Sequence, residues 1–342
     1  MPLPEHDLSR LDEVRGEASA PQAAARTLVV VLNFNGIADT LACLDSLRAQ
    51  TCPGVTALVV DNGSRADDLG RIAARFPEVE VIALGENRGW AGGNNVGLRL
   101  GLERDFVNIC LLNNDTVLRP DAFAELLAAA EAIGVPCLLH PGIHYFDDPS
   151  RPQLFPDPPA ALDAAARRLF EDHNIVEINW AYGACLMVPA ALVRHVGLLD
   201  ERFFLQLEEH DYYMRAAARG IRSYCARRAR ILHKESISFG GRVTPDKTYY
   251  QVRNTLLLAE KHLSRPAEAL WALRRMLWML HRQATTVRPD GGSRLGLLRW
   301  LCSADEFARA TRQGVRHYLF RRFGARPVPP PAARPVVPGA IP

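Results

Sequence analysis

Leu111-Leu112-Asn113-Asn114-Asp115-Thr116 closes an apolar run that begins at Val107. The run alternates too little for a half-exposed strand and reads as a buried strand of a parallel sheet. It ends in two amides and a carboxylate rather than a glycine, and Pro120 then opens a helical segment. In open α/β sheets, ligands gather outside the carboxyl ends of the strands. Oxygen donors placed there suit a hard divalent cation carrying a diphosphate. The same three side chains also suit a plain turn and helix cap.

The sequence before this stretch repeats its pattern three times. Leu28 to Leu32 reads as a strand ending in Asn33-Phe34-Asn35-Gly36, with Leu41, Leu44 and Leu47 at helical spacing behind it. Val55 to Val60 ends in Asp61-Asn62-Gly63-Ser64, and Val79 to Leu84 ends in Gly85-Glu86-Asn87-Arg88-Gly89, with a helix from near Trp90. Four strand–helix alternations in about 120 residues predict an α/β fold with a mostly parallel central sheet and helices on both faces. The polar strand ends then converge on one edge. No GxGxxG follows the first strand, which argues against a dinucleotide site of the usual kind. Gly89, Gly92, Gly93 and Gly97 leave either room for a ligand or a tight helix–sheet contact.

Composition is that of an ordinary globular protein, 48% hydrophobic and 23% charged over 342 residues, enough for one large core or two modest ones. Charge is unevenly spread. Up to residue 214 there are 16 Lys and Arg against 31 Asp and Glu, and beyond it 25 against 7. The basic end predicts an anionic partner, a membrane surface or lipid diphosphate before nucleic acid. The seven cysteines form no CxxC pair and several lie in apolar runs, so they read as reduced thiols in a cytoplasmic protein. Neither a signal peptide nor a run of about 20 apolar residues is visible.

Residues 1–26 read as a loose arm. From His140 to about Asn174 six prolines predict an irregular surface excursion, a lid or acceptor loop. Apolar character returns from Val176 to Val188 around Trp180 and Gly183, and Pro189 opens a short helix. Glu208-Glu209-His210-Asp211 stands at the start of another helix; acids suit that position, but four titratable groups exceed what capping needs. Ile231 to Ser238 carries His233 and leads through Gly240-Gly241 to a helix from near Pro245 to His262. Arg253 and Asn254 there could face a phosphate or an acidic partner. Residues 263–325 are amphipathic, basic and Trp-bearing, suited to a membrane interface or to packing back on the sheet. The Pro-rich end, 326–342, reads as a disordered tail.

In this order the motifs VVVLNFNG, VVDNGS, ENRGWAGGNNVGL, LLNNDT, WAYGACLMVP, VGLLDERFFLQLEEHDYYMRAAARG and HKESISFGG with YYQVRNTLLL resemble the family 2 glycosyltransferases, and most closely their bacterial rhamnosyltransferase-like branch. The resemblance covers roughly residues 27 to 260 and implies the GT-A fold, with a catalytic domain over 27–262. It implies an inverting, metal-dependent hexosyltransferase of cell-envelope or exopolysaccharide synthesis, peripheral at most on the inner face of the membrane. The donor would be a dTDP- or UDP-sugar and the acceptor a glycan or a lipid-linked glycan.

Site roles follow from the same resemblance. Asn33, Asn35 and Asp61 would meet the nucleotide, and Asn87, Arg88 and Gly93 the nucleotide and donor. Asn113, Asn114 and Asp115 stand at the family's DXD position. Asp115 would bind Mg or Mn with His233 nearby, and Trp180 and Gly183 would line the acceptor side. One departure stands out: the family's Glu-Asp-x-Asp is here Glu208-Glu209-His210-Asp211, which puts a longer side chain, Glu209, at the general-base position. Asp211 and then Glu208 are the fallback bases. Two rivals stay open at this level, a non-catalytic sugar-nucleotide-binding homologue and a sugar nucleotidyltransferase. The nucleotidyltransferase would call for a basic Gly-rich loop that Asn33-Phe34-Asn35-Gly36 lacks.

Overall fold

The computed structural model describes residues 26–65, 68–154, 174–234, 244–264, 266–288 and 293–327. The expected N-terminal arm, the middle of the proline-rich stretch, the Glu235–Gly241 run and nearly all of the tail lie outside these residues. Four parallel strands form the first half: β1 (Thr27–Asn33), β2 (Val55–Asp61), β3 (Glu80–Ala83) and β4 (Asn108–Asn113). Their connecting helices are α1 (Ile37–Arg48), α2 (Asp68–Arg75) and α3 (Gly89–Glu103). Successive side chains of β1 enter opposite cores, Leu28 and Val30 on one face and Val29 and Val31 on the other. A strand buried on both sides has no reason to alternate, which is why these runs read as continuously apolar.

The second half completes a ten-stranded sheet with β5 (Thr116–Leu118), α4 (Ala122–Ile133), β6 (Leu138–Tyr145), β7 (Pro152–Leu154), β8 (Ile175–Ile178), β9 (Cys185–Pro189), α5 (Ala190–Val196), α6 (Glu208–Ala217) and β10 (Ser223–His233). The order across the sheet is β3-β2-β1-β4-β9-β6-β10-β5, with β7 on β6 and β8 on β10. Registers Asn33↔Asp61 and Leu32↔Asn113 align the strand ends on one edge, and the antiparallel pair His233↔Thr116 returns the end of β10 to the same place.

Two expectations are corrected here. His140 to Tyr145 is not a surface excursion; it belongs to β6, inside the sheet, with His140 fully buried. Pro141 is tolerated because the β6–β10 ladder shifts register there, between Ala226 and Arg230, where a missing N–H costs no ladder bond. Gly142 fits because the carbonyl of Arg227 lies where its Cβ would need space. Gly93 is a packing residue rather than a donor contact. A methyl group on Gly93, Gly97 or Gly101, one turn apart on α3, would overlap Leu32, Val30 or Ile109, so the helix lies flat on β1 and β4 only because these positions are bare.

The basic segment folds into α8 (Pro266–Val287), α9 (Arg294–Leu301) and α10 (Glu306–Leu319), stacked on α7 (Pro245–Lys261). Thr244 caps α7 by accepting from the N–H of Lys247 at 3.2 Å, with Pro245 in the first turn. Asp305 caps α10 and also accepts the indole N–H of Trp300 at 3.0 Å. Trp300 is fully buried whereas Trp271 and Trp278 are 48% and 60% exposed. Trp300 therefore packs back on the fold, while Trp271 and Trp278 face outward. No helix of the described residues is long and apolar enough to cross a membrane.

Candidate active site

The first strand ends hold a closed polar network. The side-chain amide of Asn33 donates to Asp61 Oδ1 (2.8 Å), Asp68 Oδ2 (3.0 Å) and Ser64 Oγ (3.1 Å), and its carbonyl accepts from Thr40 Oγ1 (2.8 Å). Fully buried and held by four side-chain partners, Asn33 orients Asp61 rather than facing a nucleotide. Ser64 donates to both oxygens of Asp61, through Oγ at 2.6 Å and N–H at 3.1 Å. Asn35 takes a left-handed backbone (φ 54°), donating its N–H to Ser64 Oγ and accepting from Arg65 N–H.

Asn62, which the motif reading passed over, ties this loop to the next. It donates to Asn87 Oδ1 (3.0 Å) and the carbonyl of Gly89 (3.1 Å) and accepts from the N–H of Arg88 (2.9 Å). Gly63, at φ 80°, lets the two loops touch, because a side chain there would strike the backbone of Glu86. The only sequence signal was an Asn-Gly pair, which reads as a turn. Arg88 keeps a half-exposed guanidinium with Glu86 at 3.7 Å, a weak surface pair that leaves it able to meet an anion.

Asn114 donates to Thr40 Oγ1 (2.9 Å), and Asn113 accepts the indole N–H of Trp90 (2.8 Å). Asp115 is 5% exposed, and its Oδ1 lies 3.2 Å from His233 Nε2. Gln153 fixes the imidazole. Its amide nitrogen donates to the carbonyl of His233 (2.9 Å), so its oxygen faces Nδ1 (2.8 Å) and Nδ1 carries the proton. Nε2 then faces a carboxylate oxygen at 3.2 Å, a pair that a proton or a cation can bridge. That spacing fits a divalent ion, since ligands about 2.1 Å from an octahedral centre stand about 3 Å apart along an edge. Among the described residues no cluster of three or more His, Cys, Asp or Glu forms a closed metal site, so a bound ion would draw further ligands from its substrate.

The acidic cluster sits at the start of α6, behind a loop with unusual backbone. Phe204, Gln206 and Leu207 have φ of 64°, 73° and 73°. Non-glycine residues there cost about 1 kcal/mol or more each and persist only when held. Asn254 donates to the carbonyls of Phe203 (2.9 Å), Leu205 (2.7 Å) and Gln206 (2.7 Å). Arg253, fully buried, donates to the carbonyls of Arg202 (3.0 Å), Phe203 (2.7 Å) and Gly324 (2.6 Å). So this pair meets neither a phosphate nor an acid; it clamps the loop.

The four residues opening α6 differ sharply. Burial pushes the Glu209 carboxyl up to about 7, against the opposing pull of its own backbone N–H and of Arg275. Glu208 is 3% exposed with one oxygen lacking any partner; burial and then the neighbouring Glu209 hold it well above the usual range. Burial likewise lowers His210 to about 4, with His262 and Arg275 adding to the effect. Asp211, also buried, is held low despite that burial because His262 Nε2 (2.9 Å), Lys261 Nζ (2.7 Å) and Arg215 Nε (2.9 Å) surround it. Buried and bound by three donors, Asp211 is a structural anion and not a fallback base.

One aromatic residue joins the two acidic groups. Trp90 donates its backbone N–H to the carbonyl of Phe204 at 2.6 Å, and its ring N–H reaches Asn113. Gly183 lies under the same indole, where a Cβ would stand 3.3 Å from the ring. Trp180 is not brought here. It packs into the core on the α1 and α4 face of the sheet, whereas α6 packs on the opposite face, which corrects its expected place on the acceptor side.

A family model described as glycosyl transferase family 2 matches residues 28–182. The chain is 24% identical over 223 residues to a low-salt glycan biosynthesis hexosyltransferase, Agl10, of Haloferax volcanii, covering 64% of this chain and 71% of that one. It is 25% identical over 249 residues to the N-acetylglucosaminyl-diphospho-decaprenol L-rhamnosyltransferase of Mycobacterium tuberculosis, covering 64% and 79%. The fold matches a mannosyltransferase from Pyrobaculum calidifontis solved with GDP-Man and Mn2+, at a TM-score of 0.52 and 15% identity over 92% of this chain and 95% of that one. Sequence and sheet order point the same way: the chain is similar to the family 2 glycosyltransferases over residues 28–182, and to a hexosyltransferase and a rhamnosyltransferase over a longer span.

Proposed function

We propose that this enzyme moves a hexose, of rhamnose type before others, from a nucleoside diphosphate to a hydroxyl of a glycan or lipid-linked acceptor, with inversion at the anomeric carbon. The acceptor oxygen bonds to that carbon as the bond from carbon to diphosphate oxygen breaks. The bonding pair leaves with the nucleoside diphosphate, and the acceptor proton passes to Glu209. Asp115 and His233 would hold a divalent cation, Mg or Mn, which when bound would supply positive charge beside the departing diphosphate. Asp61, oriented by Asn33 and Ser64, faces the nucleotide, and Arg88 stands by for the diphosphate. Glu209 is half-buried with a carboxyl near 7, the range in which a general base works best at neutral pH. Glu208 is shut in, and Asp211 is committed elsewhere.

The observation that carries this reading is the Asp115–His233 pair, a carboxylate oxygen and an imidazole nitrogen facing each other at 3.2 Å on the edge where the strands end. Arg253 and Asn254 act as positioning residues, since the loop they hold sets where Glu209 stands. The test is release of free nucleoside diphosphate from a panel of dTDP-, UDP- and GDP-sugars with and without Mn2+. Release that persists unchanged in Asp115→Ala would remove the cation role.

A further inference from the structure

Helix α8 is two-sided in a way the donor site does not explain. Ala272, Met276, Leu280 and Ala284, four residues apart, face inward and are buried. The other side leaves Leu270, Trp271, Leu277 and Trp278 exposed, between 48% and 60%. Arginines lie over both indoles, Arg275 at 5.4 Å from the Trp271 ring and Arg282 at 5.5 Å from that of Trp278. Exposed indoles under guanidinium groups on a helix of this length exceed what packing requires and form a surface that is apolar and cationic at once. This face meets the catalytic helix. The rings of Trp271 and His210 are 5.5 Å apart, and His210 follows Glu209 directly. Arg275 is close enough to pull on the Glu209 carboxyl. The surrounding charge is of one sign, 12 arginines against 4 acids over residues 266–327.

We propose that the outer face of α8 is the acceptor subsite and that it takes an amphipathic, diphosphate-bearing lipid: Trp271 under the acceptor sugar, Arg275 on the diphosphate, and Leu277 with Trp278 along the lipid chain. The order follows the helix, since seven residues from Trp271 to Trp278 span about 10 Å. An acceptor lying this way presents its sugar hydroxyl to Glu209 and its anion to the basic C-terminal helices. An arginine fork matches a phosphate in charge and geometry, and aromatic faces pack well on sugar rings and isoprenoid chains. The proposal rests on Glu209 as the base.

Calorimetric titration with farnesyl diphosphate, in chelator so that no cation bridges the donor site, tests it on the full chain. Farnesol and inorganic pyrophosphate serve as half-ligands. The intact protein should bind farnesyl diphosphate at least about 10-fold more tightly than either half-ligand. Arg275→Gln should lose about that factor while leaving farnesol unchanged, and Trp278→Ala should weaken farnesyl diphosphate and farnesol together. Both side chains are on the surface, so unchanged circular dichroism is expected alongside. Equal binding by the intact protein and Arg275→Gln, no binding by the intact protein, or retention on phosphatidylglycerol vesicles without response to farnesyl diphosphate would each overturn the proposal. No donor is present in this titration. Intact farnesyl diphosphate binding without donor turnover would instead count against the assigned base and cation roles.

Discussion

At the scale of single residues, the account turns on Glu209. Its carboxyl is raised from 4.5 to about 7, so the folded protein holds this proton more tightly than the unfolded chain. The stability it contributes is present below pH 4.5 and is lost as pH rises through about 7. Two outcomes follow. Turnover should climb with pH through an inflection near 7, read from initial rates across pH 5.5–8.5. Glu209→Gln, which cannot ionise, should melt higher than the parent at pH 8.5, while turnover falls by about 100-fold or more and donor affinity changes little. Part of this was legible: the acidic cluster, its place at a helix start and the displaced Glu at the base position can all be read from residues 208–211. Which acid is reachable could not be, because that depends on Lys261 and His262 folding back on Asp211 from 50 residues away. The role of Asn33 was misjudged for a similar reason. A strand-end amide looks available until its partners, Asp68 and Thr40, are seen to hold it.

At the scale of elements, the loop before α6 stores backbone strain that Asn254 and Arg253 offset. Asn254→Ala would leave the carbonyls of Leu205 and Gln206 without this donor, Phe203 keeping Arg253, and free the loop to relax. We expect a loss of about 2–4 kcal/mol in urea unfolding and a fall in kcat exceeding any rise in donor KM, since the donor network lies on other strands. Gly97→Ala tests the flat seat of α3, where the added methyl meets Val30; a cost of about 1–3 kcal/mol is expected by the same measurement. The strands and helices of residues 27–133 were legible because buried parallel strands leave long apolar runs punctuated by polar ends. β6 was not, because Pro141, Gly142 and two histidines mimic a loop; only the register shift opposite Pro141 explains how such a sequence enters a sheet.

At the scale of the whole molecule, the acidic first part and the basic second part meet at α6. Asp211 takes its counter-charges partly from α7, so the C-terminal helices are fastened to the catalytic helix through a buried ion cluster. Asp211→Asn should cost about 3–5 kcal/mol, because it leaves buried cations under-compensated. Its carboxyl is held low, so this stabilisation is present above pH 3.8 and is lost as pH falls further. The uneven charge was plain in the sequence, and so was the amphipathic character of the last helices. Their division of labour was not, since only coordinates separate a buried Trp300 from an exposed Trp271 and Trp278.

The central claim is that Asp115 and Glu209, joined through Trp90, serve one displacement. It is tested most directly by nucleoside diphosphate release from a nucleotide-sugar in the presence of Mn2+, compared among the parent enzyme, Asp115→Ala and Glu209→Gln, with donor affinity measured in parallel. The account predicts that Asp115→Ala loses release together with cation-dependent donor binding, and that Glu209→Gln loses release while donor binding stays intact. Parent-like release from either variant would contradict it.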